Sequence, residues 1–208
     1  MCSKLKVDNT DTGVQDVIRI LAISGSLRKA SSNTALLRAA SMLAPEGLEI
    51  TVYAGLGDLP LFNPDIEGPN SDHPTPFQVR ELRSLLLASD GVLIASPEYA
   101  HGVTGALKNA IDWVVGSGEL VGKPVALLNA SAQAIHAHSS LREILSIAAM
   151  RFISDASRTI VLSTNKISPV DIVSDPERSG ILSAALISFI QAVENQRTES
   201  AGETPTEH

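Results

Sequence analysis

Residues 17–42 read VIRILAISGSLRKASSNTALLRAASM, and this stretch decides the fold. Val17 to Ile23 is apolar except for Arg19, as expected of a strand covered on both faces of a parallel sheet. The run breaks at a Ser/Gly turn, and apolar residues then recur at helical spacing through Leu36, Leu37 and Met42. A strand that feeds a helix through a short polar turn is half of a strand–helix–strand crossover.

Outward from this unit the alternation continues. Leu48 to Tyr53 reads as the second strand, and residues 55–76, rich in Pro, Gly and Asp, as a long loop. A helix over Phe77 to Ala88 precedes the third strand, Gly91 to Ser96. After a loop from Pro97 to Thr104 comes a helix from Gly105 to about Val115. Pro124 to Asn129 is the fourth strand, Ser139 to Ala149 its helix, and Ser157 to Leu162 the fifth strand. A Pro/Asp/Ser-rich loop leads to a last helix over Pro176 to Asn195. This order predicts an α/β fold, a three-layer α/β/α sandwich on a five-stranded parallel sheet, with strand order 2-1-3-4-5. Residues 1–15 and 197–208 are polar and aperiodic. They read as a disordered lead and tail around one domain, residues 16–196.

Composition narrows the function classes. Hydrophobic residues make up 44% of the 208 and aromatic ones only 3%, so the core must be aliphatic. A net charge of −7 and a pI near 5.2 argue against a nucleic-acid or anionic-membrane surface. The single cysteine, Cys2, allows no intrachain disulfide. Apolar runs are strand-sized, and no signal core follows the N-terminus; a cytoplasmic protein is the expectation.

In such sheets ligands sit beyond the carboxyl ends of the strands, where the strand order reverses. Two loops fall there. The first, residues 24–33, joins hydroxyls, an amide and a cation at a helix start; Ser26, Arg28, Ser32 and Asn33 suit a phosphate. An ordinary N-cap also favours Ser and Asn, and the loop has neither the P-loop Lys-Ser/Thr nor the dinucleotide glycine spacing. The second, residues 96–105, is stiffened by Pro97 and freed by Gly102 and Gly105, and its backbone suits the polar edge of a flat ring. Tyr99 stands beside the first loop, where a ligand contact is favoured over core packing. Glu98 has an ordinary surface reading, and Asp112 and Trp113 read as helix surface and packing, with a subunit contact open to Trp113. His101, His136 and His138 carry no metal expectation, because a spacing of two is not the i, i+4 pair of a helical metal site.

The segments GSLRKASSN (residues 25–33) and SPEYAHGVTGALKNAIDW (residues 96–113) together resemble the NADPH-dependent FMN reductase family, within the flavodoxin-like superfamily. The order of elements agrees from about Val17 to Leu162. The resemblance implies an FMN phosphate held by Ser26, Arg28, Ser32 and Asn33. It places the flavin ring against Pro97, Glu98, Tyr99, Ala100, His101 and Gly102, with its other edge near Asn129, Ala130 and Ser131. It also implies NADPH or NADH as donor, a flavin, quinone, azo compound or metal oxyanion as acceptor, and a homodimer or homotetramer. The flavin would carry the hydride, leaving no protein nucleophile to find, and His101 is at most a substrate contact. The chain departs from the family at Ala100 and His101, at Thr104 where relatives have Pro, and after the fourth strand, where SAQAIHAH replaces a Gly-rich loop. Two other readings share the sheet: a flavodoxin-type electron carrier, and a hydrolase or phosphate-binding regulator. The second lacks a nucleophile-elbow pattern.

Overall fold

The first strand, β1 (Ile18–Ser24), buries every residue but Arg19, and its alternate side chains feed two separate cores. Ile18, Ile20 and Ala22 pack under helices α1 (Ser32–Met42), α5 (Pro169–Ser174) and α6 (Pro176–Gly202). Leu21 and Ile23 pack under α2 (Phe77–Ala88), α3 (Gly105–Val114) and α4 (Ile135–Ile147). Parallel neighbours β2 (Leu48–Tyr53), β3 (Gly91–Ala95) and β4 (Pro124–Asn129) complete the centre of the sheet. The computed structural model describes residues 17–66, 74–162, 164 and 166–202. The expected lead, residues 1–15, lies outside them.

Strand order runs 2-1-3-4 and then to a divided fifth position, as expected except at that edge. There β5 (Arg151–Phe152) pairs with Pro124 and Val125, and β6 (Arg158–Thr159) pairs with Leu128 and Asn129. A 3-10 turn at Ser154–Ala156 separates them. Ser157 spans the break: its hydroxyl accepts from Leu127 N–H at 3.0 Å and donates to the Ile153 carbonyl at 2.9 Å. The expected single strand over Ser157 to Leu162 is therefore an interrupted edge, a form common at the margins of sheets.

Two helix limits also differ from expectation. Helix α4 starts at Ile135, not Ser139, because Glu98 from a distant loop accepts the Ala137 N–H at 2.9 Å. The residue before the helix, Ala134, has no side chain able to cap it. Helix α6 runs past the expected domain edge at residue 196 to Gly202. Arg197 is not tail: it pairs with Asp90 at 2.9 Å and donates to the Val17 carbonyl at 3.3 Å, tying the helix to the sheet. No helix among the described residues is long and apolar enough to cross a membrane.

Candidate functional site

The carboxyl ends of β1, β3 and β4 meet where the strand order reverses, and the loop that leaves β1 turns at Gly25. Gly25 N–H donates to the Ala95 carbonyl at 2.8 Å. A methyl group on Gly25 would lie 2.3 Å from Ser96 Oγ, 2.8 Å from its Cβ and 3.2 Å from its Cα. The glycine is thus demanded by close approach of the first loop to the second. Ser24 and Thr34 share a hydrogen bond at 2.8 Å, and Ser31 caps α1 by accepting from Thr34 N–H at 3.3 Å. Ser32 and Asn33 therefore sit on the first turn of α1, where free N–H groups and the positive end of the helix dipole face outward.

The second loop makes a tight turn over Tyr99 to Gly102, closed by reciprocal backbone hydrogen bonds at 2.9 and 3.3 Å. Its two central residues, Ala100 (φ 50°) and His101 (φ 59°), are both left-handed, a conformation that favours Gly or Asn. Such strain in non-glycine residues gathers at functional loops. Just beyond the turn, the buried Thr104 hydroxyl donates to the Gly25 carbonyl at 2.8 Å. This bond joins the two loops directly.

The third loop follows β4. Asn129 is buried and uses its side chain to shape that loop, accepting Ser131 N–H at 3.0 Å and donating to the Ala134 carbonyl at 3.4 Å. Ser131 Oγ in turn accepts Gln133 N–H at 3.2 Å. The three loops enclose a cavity of about 410 Å³ lined by Ser32, Asn33, Pro97, Glu98, His101 and Ser131, with Asn129 and Ala130 at its base. A larger groove of about 780 Å³ opens on the other side of the first loop, between α1 and β2, with Ser26, Arg28, Lys29, Arg38 and Tyr53 on its walls.

Residues 18–163 match the model of a family described as NADPH-dependent FMN reductase. The chain belongs to that family. An NAD(P)H-dependent FMN reductase of Pseudomonas aeruginosa is 41% identical over 121 residues, which are 57% of this chain and 63% of that protein. An NADPH:quinone oxidoreductase of Arabidopsis thaliana is 45% identical over 105 residues, 49% of this chain and 52% of that protein. The matched stretches thus span between half and two thirds of these relatives' own length. Among solved structures, FerB, a flavoenzyme NAD(P)H:(acceptor) oxidoreductase from Paracoccus denitrificans, aligns with a TM-score of 0.75 at 29% identity. That alignment covers 86% of this chain and 98% of FerB.

Against the FMN reductase expectation, the site residues divide. Ser32, Asn33, Pro97, Glu98, His101, Asn129, Ala130 and Ser131 come together around the smaller cavity. Ser26 and Arg28 face the larger groove instead, and Tyr99, Ala100 and Gly102 line neither. Asn33, only 6% exposed, has its Oδ1 buried out of reach of solvent with no hydrogen-bond partner among the described residues.

The other chemistry-bearing residues resolve into structural roles. Glu98 is no solvated carboxylate; it is the cap of α4. Trp113 is wholly buried in the chain's own core, where its indole N–H donates to the Pro60 carbonyl at 2.8 Å, and so it offers no subunit contact. Asn109 holds the same segment, accepting Phe62 N–H at 2.8 Å and donating to Pro60 at 2.9 Å. Burial, and after it the Arg142 charge, pushes His138 below the usual histidine range, so it stays neutral near pH 7. Thr104, read in the sequence only as a departure from the family, and His136, given no metal expectation there, join the site through contacts between loops that no local pattern announces.

Proposed function

We propose that this chain is an NAD(P)H-dependent oxidoreductase that binds FMN in the smaller cavity and passes electrons to a small acceptor. The observation that carries the reading is the cavity itself, set at the strand-order reversal with Ser32 and Asn33 of the first turn of α1 on one wall and the loops after β3 and β4 on the others. The names of the relatives support it: an FMN reductase, a quinone oxidoreductase and a flavoenzyme acceptor oxidoreductase.

Bound FMN would supply the hydride and electron-transfer chemistry between a reduced nicotinamide and the acceptor. The protein's part is binding, orientation and exclusion of water. Ser32 and Asn33 hold the phosphate-bearing chain at the positive end of α1, with Ser26 and Arg28 closing on it from the adjoining groove. Pro97, Glu98 and His101 would meet one edge of the ring, on a loop tied to the first by the Thr104–Gly25 bond. Ala130 and Ser131 meet the other edge, on a loop that Asn129 keeps in shape. His101, exposed at the cavity mouth, stands where donor and acceptor enter.

The acceptor belongs to the flavin, quinone, azo-compound or metal-oxyanion class, and the working form is a homodimer or homotetramer in the cytoplasm. Exposed Leu61 and Phe77 offer apolar surface for such assembly. Titration of flavin-free protein with FMN and with riboflavin tests the binding step. FMN is expected to bind more tightly, and Asn33→Ala to weaken it about tenfold, the worth of one buried hydrogen bond of roughly 1.4 kcal/mol. Equal affinity for both flavins, untouched by Asn33→Ala, would remove this cavity from consideration.

A further inference from the structure

Glu98, His101 and His136 bring one donor atom each to within 4.8 Å of one another at the rim of the smaller cavity. Two come from the strained loop after β3 and the third from the first turn of α4, so no sequence spacing signals the cluster. Each residue is held in place by something else. Glu98 is anchored by one carboxylate oxygen, Oε2, which accepts the Ala137 N–H at 2.9 Å. His101 is projected by a left-handed backbone inside the closed Tyr99–Gly102 turn. Its imidazole stacks on that of His136 with ring centres 4.3 Å apart and planes 11° from parallel. Neither imidazole has a hydrogen-bond partner among the described residues, and both are exposed to solvent.

We propose that Glu98, His101 and His136 form a solvent-facing site for a divalent transition-metal ion of the zinc class. Two imidazole nitrogens and one carboxylate oxygen are a borderline-soft donor set that suits Zn²⁺, Ni²⁺ or Cu²⁺ better than Mg²⁺ or Ca²⁺. Metal–ligand bonds of about 2.0–2.2 Å require donors closer than they stand here, so the stacked rings must turn toward Glu98 as the ion enters. Three protein ligands leave an open position for water or an oxygen-bearing small molecule. The Glu98–Ala137 bond supplies the outer support that orients a ligating carboxylate. Because Glu98 and His101 also line the cavity, a bound ion lies at its entrance. The site stands whether or not the cavity takes a flavin.

Calorimetric titration of the full chain with ZnCl₂ tests this, in a Cys2→Ser background that removes the lone thiol. Flavin-free and FMN-loaded protein are both titrated. The expected result is one saturable equivalent, weakened by about tenfold or more in His101→Asn and again in His136→Asn. Asparagine suits the left-handed position of residue 101, and His136 is exposed, so both variants should keep the parent melting temperature. Cu²⁺ in place of Zn²⁺ should give an EPR spectrum with two coupled nitrogens, reduced to one in either variant. Absence of saturable binding by about 1 mM Zn²⁺ would overturn the proposal, as would binding indifferent to either histidine.

Discussion

Replacing Gly25 by alanine pushes a methyl group into Ser96, and the size of the effect follows from the contacts there. The new carbon would lie 2.3 Å from Ser96 Oγ and 2.8 Å from Ser96 Cβ. The hydroxyl can rotate aside, but Cβ cannot, so the two loops must separate. Separation strains the Gly25–Ala95 and Thr104–Gly25 hydrogen bonds, both 2.8 Å long. Overpacking costs about 1–3 kcal/mol and each of the two weakened bonds about 0.5 kcal/mol, which gives a loss of about 2–4 kcal/mol. With a urea m-value of about 2 kcal/mol/M, the unfolding midpoint falls by about 1–2 M. FMN affinity should fall with it, because the loops that line the cavity splay. Ser96→Gly removes both clashing atoms and leaves only Cα, at 3.2 Å. The double variant should therefore recover at least about 1 kcal/mol relative to the sum of the singles. An unchanged midpoint in Gly25→Ala, or an equal loss with and without Ser96→Gly, would refute the close-approach argument.

Thr104→Val leaves the buried Gly25 carbonyl without its donor and should cost about 1–3 kcal/mol in thermal or urea unfolding, whereas Thr104→Ser retains most of the stability. Ala100→Asn places a left-handed-tolerant residue at φ 50° and should stabilise the chain by up to about 1 kcal/mol, read as a higher urea midpoint. The Tyr53 hydroxyl is buried with no hydrogen-bond partner among the described residues, so Tyr53→Phe should be neutral or stabilising near pH 7. Burial first, then the Glu81 and Asp58 charges, pushes the Tyr53 phenol from 10.0 up to about 12. The folded chain then keeps a proton that the unfolded chain releases, so this contribution is full below pH 10 and lost between pH 10 and about 12. Urea midpoints followed across that interval should fall more steeply in the parent than in Tyr53→Phe.

Strand β4 has the limits expected of it because a strand covered on both faces is an unbroken buried run, and edge strand β2 has them through an alternation that leaves Glu49 and Thr51 exposed. Errors fall where an element is finished by a residue far away in sequence. Glu98 starts α4 early from 39 residues upstream, and Asp90 holds the end of α6 through Arg197. Ser157 divides the edge strand by answering β4 with its side chain. The site shows the same division. Its two principal loops are legible as polar breaks after β1 and β3, placed by the strand order. Which side of the first loop each residue faces is not, and Ser26 and Arg28 open on the larger groove while Ser32 and Asn33 open on the cavity. The Thr104–Gly25 bond spans 79 residues, and the left-handed turn at Ala100 and His101 contradicts local preference. Both are fixed by tertiary contacts, and Trp113 is drawn inward by the same segment, at Pro60, that Asn109 clamps.

The most direct test of the account is the visible spectrum of the purified, FMN-loaded chain before and after anaerobic addition of NADPH. The account predicts bound flavin whose absorbance near 450 nm bleaches within seconds and returns when a quinone is added. Flavin that stays oxidised with both NADPH and NADH, yet forms a stable semiquinone with dithionite, would contradict it and make the chain an electron carrier.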